Sequence, residues 1–156
     1  MPLRVLQFVA TLLTALCLVP GGAHVLEIAG KIGLGQADYL VVQQIYRGWS
    51  LLGIVLIAAV VANGLAAVGA RGQRTARLWS AAACALICVT LVIFLVWTYP
   101  VNQATQNWTV APGNWQVLRR QWEYSHAVNA GVTFVALCCA IAAGMARSGR
   151  SRTGRS

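Results

Sequence analysis

Four uninterrupted apolar runs leave this chain few ways to fold: residues 5–28, 49–70, 78–97 and 127–146. Each is long enough to cross a hydrocarbon core, which takes roughly 20 helical residues. Lipid offers no partner to backbone N–H and C=O groups, so a spanning segment is either a helix or part of a closed barrel. The runs are continuous and lack the alternation of barrel strands. The sequence therefore predicts an all-α fold, a four-transmembrane-helix bundle. Composition points the same way: 58% of the 156 residues are hydrophobic and 10% are charged, far too apolar for a soluble domain. One membrane domain is expected over 1–147. A basic tail follows at 148–156, where Arg alternates with Ser, Gly and Thr, and it is expected to be disordered.

Arginine placement sets the expected orientation, because basic residues in short loops stay on the cytoplasmic side. With both termini cytoplasmic, Arg4, Arg71, Arg74, Arg77, Arg147, Arg150, Arg152 and Arg155 all lie inside. Lys31, Arg47, Arg119, Arg120 and all three acids then fall on the opposite side. The net charge of +9 is read as topology and contact with the lipid bilayer of the cell membrane, not as a nucleic-acid surface, since no basic segment is interleaved with stacking aromatics. Residues 1–23 also have the form of a signal peptide ending at Gly21-Gly22-Ala23. A helix-compatible pattern that continues to Ala29 favours a retained span with a kink near Pro20. Cys17, Cys84, Cys88, Cys138 and Cys139 all lie in spans without a C-x-x-C and are read as small packing residues.

Polar chemistry is concentrated at two points. His24-x-x-Glu27 closes the first span and Glu123-x-x-His126 opens the last, using both histidines and two of the three acids. A three-residue step keeps each pair on one helix face. The first helix travels outward and the last inward, so the pairs meet in depth, with His24 and His126 deeper than Glu27 and Glu123. Between the spans, Asp38 is a plausible N-cap for a helix that carries Gln43, Gln44 and Arg47 into the second span. The third helix is expected to end near Trp97–Pro100, leaving 101–114 irregular. Asn114 then caps the last helix, on which Arg119, Trp122, Glu123, His126 and Asn129 share a face.

Three readings of the paired residues stay open. In the first the pairs are structural: Glu27 stands four residues before Lys31, and Glu123 has Arg119 and Arg120 within reach. In the second they are a metal-free acid/base site, with Arg119 or Arg47 stabilising an oxyanion and Trp108, Trp122 and Tyr124 as flat walls. In the third, two His and two Glu hold a single Fe or Zn. A di-iron centre would need a carboxylate from each of the other two helices, which supply none. Gly30, Gly33 and Gly35 form a turn, not a nucleotide fingerprint.

Ala23-His24-Val25-Leu26-Glu27, Gln43-Gln44-Ile45-Tyr46-Arg47-Gly48-Trp49, and Asn102 with Asn107-Trp108, Pro112, Trp115, Arg119, Trp122-Glu123 and His126 together resemble the family of small four-helix membrane proteins that includes the fungal anthrone oxygenases. The resemblance covers most of the chain up to Arg147. It implies a four-helix fold and, for some members, oxygenation of a polycyclic phenolic anthrone to an anthraquinone. The candidate catalytic residues are then His24, Glu27, Glu123 and His126. Gln43, Arg47, Asn102, Asn107, Trp108, Arg119 and Trp122 are candidates for contact with a hydrophobic aromatic small molecule at the outer mouth of the bundle. The alternative is a non-enzymatic membrane protein, a small-molecule binder or a subunit of a complex.

Overall fold

The computed structural model describes residues 2–152, with side chains placed as far as Ala146. Its helices are α1 (Leu3–Lys31), α2 (Gln36–Gln43), α3 (Leu52–Gly69), α4 (Arg74–Ile93), α5 (Tyr99–Ala104) and α6 (Trp115–Arg152). No strand occurs among the described residues. Four stretches are long and apolar enough to cross a membrane: Leu3–Lys31, Trp49–Gly69, Arg74–Ala104 and Trp115–Ala146. They form a ring in which α1 packs on α3, α3 on α4, α4 on α6 and α6 back on α1. Leu3 lies against Gly69, and Gln7 against Gly144. The start of α1 and the stretch of α6 around Gly144 therefore sit together at the arginine-rich end of the bundle. Of the basic tail expected at 148–156, residues 153–156 lie outside the described residues, and α6 runs as far as Arg152.

The bundle is small and polar inside, large and apolar outside. Ala10, Ala59, Ala66, Ala83, Ala136 and Ala140 are fully enclosed, whereas Phe8, Leu16, Ile54, Val61, Val92 and Phe134 face outward. Lipid is as apolar as leucine, so burying large aliphatic chains gains little, and helices instead associate through small residues that let backbones approach. Gly21 is the sharpest case: a Cβ there would stand 3.1 Å from Ala130 Cβ and 3.2 Å from its Cα. Interior polar groups add cross-links. Gln7 donates to the Ala140 carbonyl (2.9 Å) and accepts from Ser80 (3.2 Å), tying α1, α6 and α4. Asn63 donates to Thr14 (2.9 Å), tying α3 to α1. Each such bond contributes about 0.6–2 kcal/mol in a membrane interior.

Two sequence expectations are corrected at the opposite end. The third spanning helix does not stop at Pro100. It widens into a π-turn over Phe94–Thr98 and continues as α5, with Pro100 in the first turn. Proline lacks an N–H and its ring crowds the carbonyl four residues back, and the wider turn relieves both. The irregular segment therefore begins only after Ala104. Nor does a helix capped by Asp38 run on into the second span. Gly35 is the N-cap of α2, a 3-10 turn over Gln44–Tyr46 follows, and the chain reverses at Gly48, whose φ of 90° is open to glycine at no steric cost. In consequence α2 closes over the end of the bundle instead of prolonging α3.

Candidate functional site at the acidic end of the bundle

The last two turns of α1 carry His24, Glu27 and Lys31, spaced three and four apart and so on one stripe. The first turns of α6 bring Trp122, Glu123 and His126 to the same depth. From α2, Tyr39 and Gln43 reach Glu123, and Tyr46 follows from the 3-10 turn.

Lys31 is the centre of the cluster. Its Nζ lies 3.2 Å from Glu27 Oε2 and 3.2 Å from Glu123 Oε1. It also donates to the Tyr46 hydroxyl at 2.6 Å and lies 3.4 Å from His24 Nδ1. Tyr46 in turn donates to Glu27. Tyr39 donates to Glu123 Oε1 at 2.8 Å, with Gln43 Nε2 at 3.4 Å. Glu123 is completely enclosed, whereas Glu27 is 35% exposed in its side chain. The result is a continuous polar chain from the interior at Tyr39 and Glu123, through Lys31 and Tyr46, to water at Glu27. Burial, then the adjacent Glu123 carboxylate, raises the Tyr39 hydroxyl well above the usual tyrosine range. Burial, then the bond to Glu27, does the same for Tyr46. Both remain donors at neutral pH.

Aromatic rings enclose this polar line. The His24 ring stacks on that of His126, with centroids 4.2 Å apart and planes 30° apart. Tyr46 lies 4.4 Å from His24 and Trp122 lies 4.7 Å away. Trp122 also meets His126 edge-on at 4.4 Å, and its indole N–H is held by Asn102 at 2.8 Å. Among the described residues His126 makes no hydrogen bond, so its ring nitrogens are the uncommitted base of the site. His24 and His126 do meet, one turn from the Gly21–Ala130 approach that lets α1 and α6 come so close.

The structure rearranges several expected roles. Glu123 has no exposed surface, whereas His126 is half-buried. Arg119 does not reach Glu123: it donates to the Leu34 carbonyl at 2.7 Å and stacks on Trp115 (4.6 Å) and Tyr39 (5.3 Å). Arg120 is exposed. Arg47 is exposed and bound to Gln44 at 2.6 Å. Asn107 is exposed, its backbone N–H bonding the Asn102 carbonyl at 2.7 Å. Tyr124 is 54% exposed on the outer surface and forms no wall. The site's cation is Lys31, and its hydroxyls come from Tyr39 and Tyr46. The sequence carried one signal for the cation: Lys31 is the only lysine beside eleven arginines. A compact ammonium fits between two carboxylates where a planar guanidinium does not.

The ammonium also occupies the position a metal would need between the carboxylates. No group of three or more His, Cys, Asp or Glu side chains among the described residues is arranged to hold a metal ion. The residues present therefore do not fit the single Fe or Zn that the paired motifs left open.

Trp108 closes the cluster from above, 2% exposed and edge-on to Tyr39 (4.9 Å) and Trp122 (6.0 Å). It arrives through three successive left-handed residues, Gln106, Asn107 and Trp108, with φ of 48°, 55° and 62°. None is glycine, and each costs on the order of 1 kcal/mol. Burial of the indole, worth about 2–3 kcal/mol, offsets most of that. Thr105 helps, its hydroxyl accepting the Trp108 N–H at 3.1 Å. Four buried polar atoms around Tyr39 are left without partners: Glu123 Oε2, Gln43 Oε1, Trp108 Nε1 and Arg119 Nε. Buried polar groups are normally satisfied, so such a grouping marks a place for water or a ligand. Comparison with family models, with curated proteins and with solved structures gives no match to this chain.

Proposed function

We propose that this membrane protein is a cofactor-independent acid/base catalyst acting on a hydrophobic phenol of the anthrone type, with dioxygen as co-reactant. The observation that supports this most is Lys31, an ammonium against His24, whose ring stacks on the uncommitted His126 within an aromatic enclosure. His126 removes the acidic C–H proton of the substrate. The negative charge collects on the substrate's carbonyl oxygen, which Lys31 stabilises in a site where charge interactions are strong. The electron-rich carbanion reduces dioxygen and forms a C–O bond, giving a hydroperoxide. His126 returns its proton in forming that hydroperoxide, which then loses water as its O–O bond breaks and the remaining C–H hydrogen departs, leaving the second carbonyl. The balance is anthrone plus dioxygen to anthraquinone plus water. Glu123 and Glu27 hold Lys31 in place and do not themselves take the proton.

The competing reading, a non-enzymatic binder or complex subunit, is favoured by one feature: Lys31 pairs its charge with both Glu27 and Glu123 without any ligand. Oxygen uptake by purified protein with added anthrone separates the two. The catalytic reading expects uptake above the spontaneous rate, lost in His126→Ala and Lys31→Met, with a measurable remainder in Glu123→Gln. Wild-type uptake at the spontaneous rate, with the protein folded by circular dichroism, refutes it.

A further inference from the structure

We infer that the space now filled by the Trp108 indole is the aromatic subsite of the ligand, and that Trp108 is a plug displaced when a flat hydroxylated ring binds. The inference rests on reading the site as one for a hydrophobic phenol, and it supplies what that reading lacks, a place for the ring.

Three independent observations carry it. Trp108 is reached only through three consecutive left-handed non-glycine residues, so its buried position is held against backbone strain that an outward swing would release. Its Nε1 is buried without a partner, so the ring is retained by shape and not by a hydrogen bond of its own. About Tyr39, the ring edge-on to Trp108, Glu123 Oε2 and Gln43 Oε1 lack a donor, and Arg119 Nε lacks an acceptor. An indole N–H meets none of these needs here. A planar ring bearing a hydroxyl would give its O–H to the carboxylate, and a second oxygen on the ring would take the guanidinium N–H. Tyr39 and Trp122, already edge-on to Trp108, would keep their contact with the replacement ring. The chemical class is therefore a fused aromatic with at least one free hydroxyl, to which a further oxygen on the ring would add a contact to Arg119.

The test uses 1-naphthol as probe and 1-methoxynaphthalene as the analogue without a donor, on the full chain in lipid nanodiscs. Hydroxyl-radical footprinting with mass spectrometry reads each tryptophan. Saturating 1-naphthol is expected to increase labelling of Trp108 while leaving Trp79, at the arginine-rich end, unchanged. The methoxy analogue is expected to bind roughly tenfold more weakly, since the buried carboxylate oxygen stays unpaired. Trp108→Ala is expected to bind 1-naphthol about tenfold more tightly, because the competing indole is gone. Should that variant fail to fold, footprinting of the wild type still decides. Unchanged or reduced labelling of Trp108 by bound 1-naphthol overturns the inference, as does absence of binding. Anthrone-dependent oxygen uptake without exposure of Trp108 sinks the plug alone. Exposure of Trp108 without uptake sinks the catalytic reading and leaves the plug.

Discussion

Replacing Lys31 by Met tests whether the cluster is organised around one buried cation. At an effective dielectric of about 20, a unit charge pair at the observed 3.2 Å interacts by about 5 kcal/mol. Two pairs give about 10 kcal/mol, much of it offset by desolvating the ammonium and by repulsion between the carboxylates. Breaking a buried pair by removing one partner costs about 3–5 kcal/mol. In a chain of this length that corresponds to a fall in Tm of roughly 6–20 °C. The two carboxylates should not share the loss equally. Glu27 is 35% exposed and can be solvated, whereas Glu123 has no exposed surface. Adding Glu123→Gln to Lys31→Met is therefore expected to recover most of the stability, and adding Glu27→Gln little of it. The assay is thermal unfolding of the purified single and double variants in one detergent, followed by circular dichroism. A Lys31→Met variant within about 0.5 kcal/mol of wild type, the range of ordinary surface substitutions, would refute the argument. So would equal rescue by the two glutamine substitutions.

Gly21→Val should cost about 1–3 kcal/mol, because the new side chain meets the Ala130 backbone; Ala130→Gly in the same chain should restore part of the Tm, and a neutral Gly21→Val would show that α1 and α6 are not in close contact. The raised values of Tyr39 and Tyr46 mean that the folded state keeps both protons where the unfolded chain, ionising near pH 10, has begun to lose them. Their contribution is complete below pH 10 and is lost as pH rises toward the folded values. Tyrosinate absorbance at pH about 10.5 should then be the same in wild type, Tyr39→Phe and Tyr46→Phe while folded, and lower absorbance in either variant would contradict the burial. For topology, single cysteines at Gly35→Cys and Gly72→Cys, in a background with the five native cysteines replaced, should react with an impermeant thiol reagent from opposite sides of the membrane. Reaction from one side would overturn the orientation.

Hydropathy and helical spacing are local properties, and what they govern was legible in the sequence. The four spans follow from run length, and the facing of each His/Glu pair follows from a three-residue step. The common depth of the two pairs follows from the alternating direction of successive spans. Ion pairing of Glu27 with Lys31 was likewise local, a matter of four residues on one helix. Tertiary structure alone decided that the same ammonium also binds Glu123, 92 residues later in the chain, because that depends on α1 and α6 being ring neighbours and on Gly21 letting them close. Hydropathy could not say which helix faces turn inward: in lipid an apolar face gains nothing from burial, and the inward faces are chosen by small residues and polar links instead. The lie of α2 across the bundle end, which delivers Tyr39 and Gln43 to Glu123, depends on the reversal at Gly48 and on packing against α6. The left-handed path that lowers Trp108 into the cluster opposes local backbone preference. It exists because the buried indole offsets the strain, and no reading of neighbouring residues along the chain contains that balance.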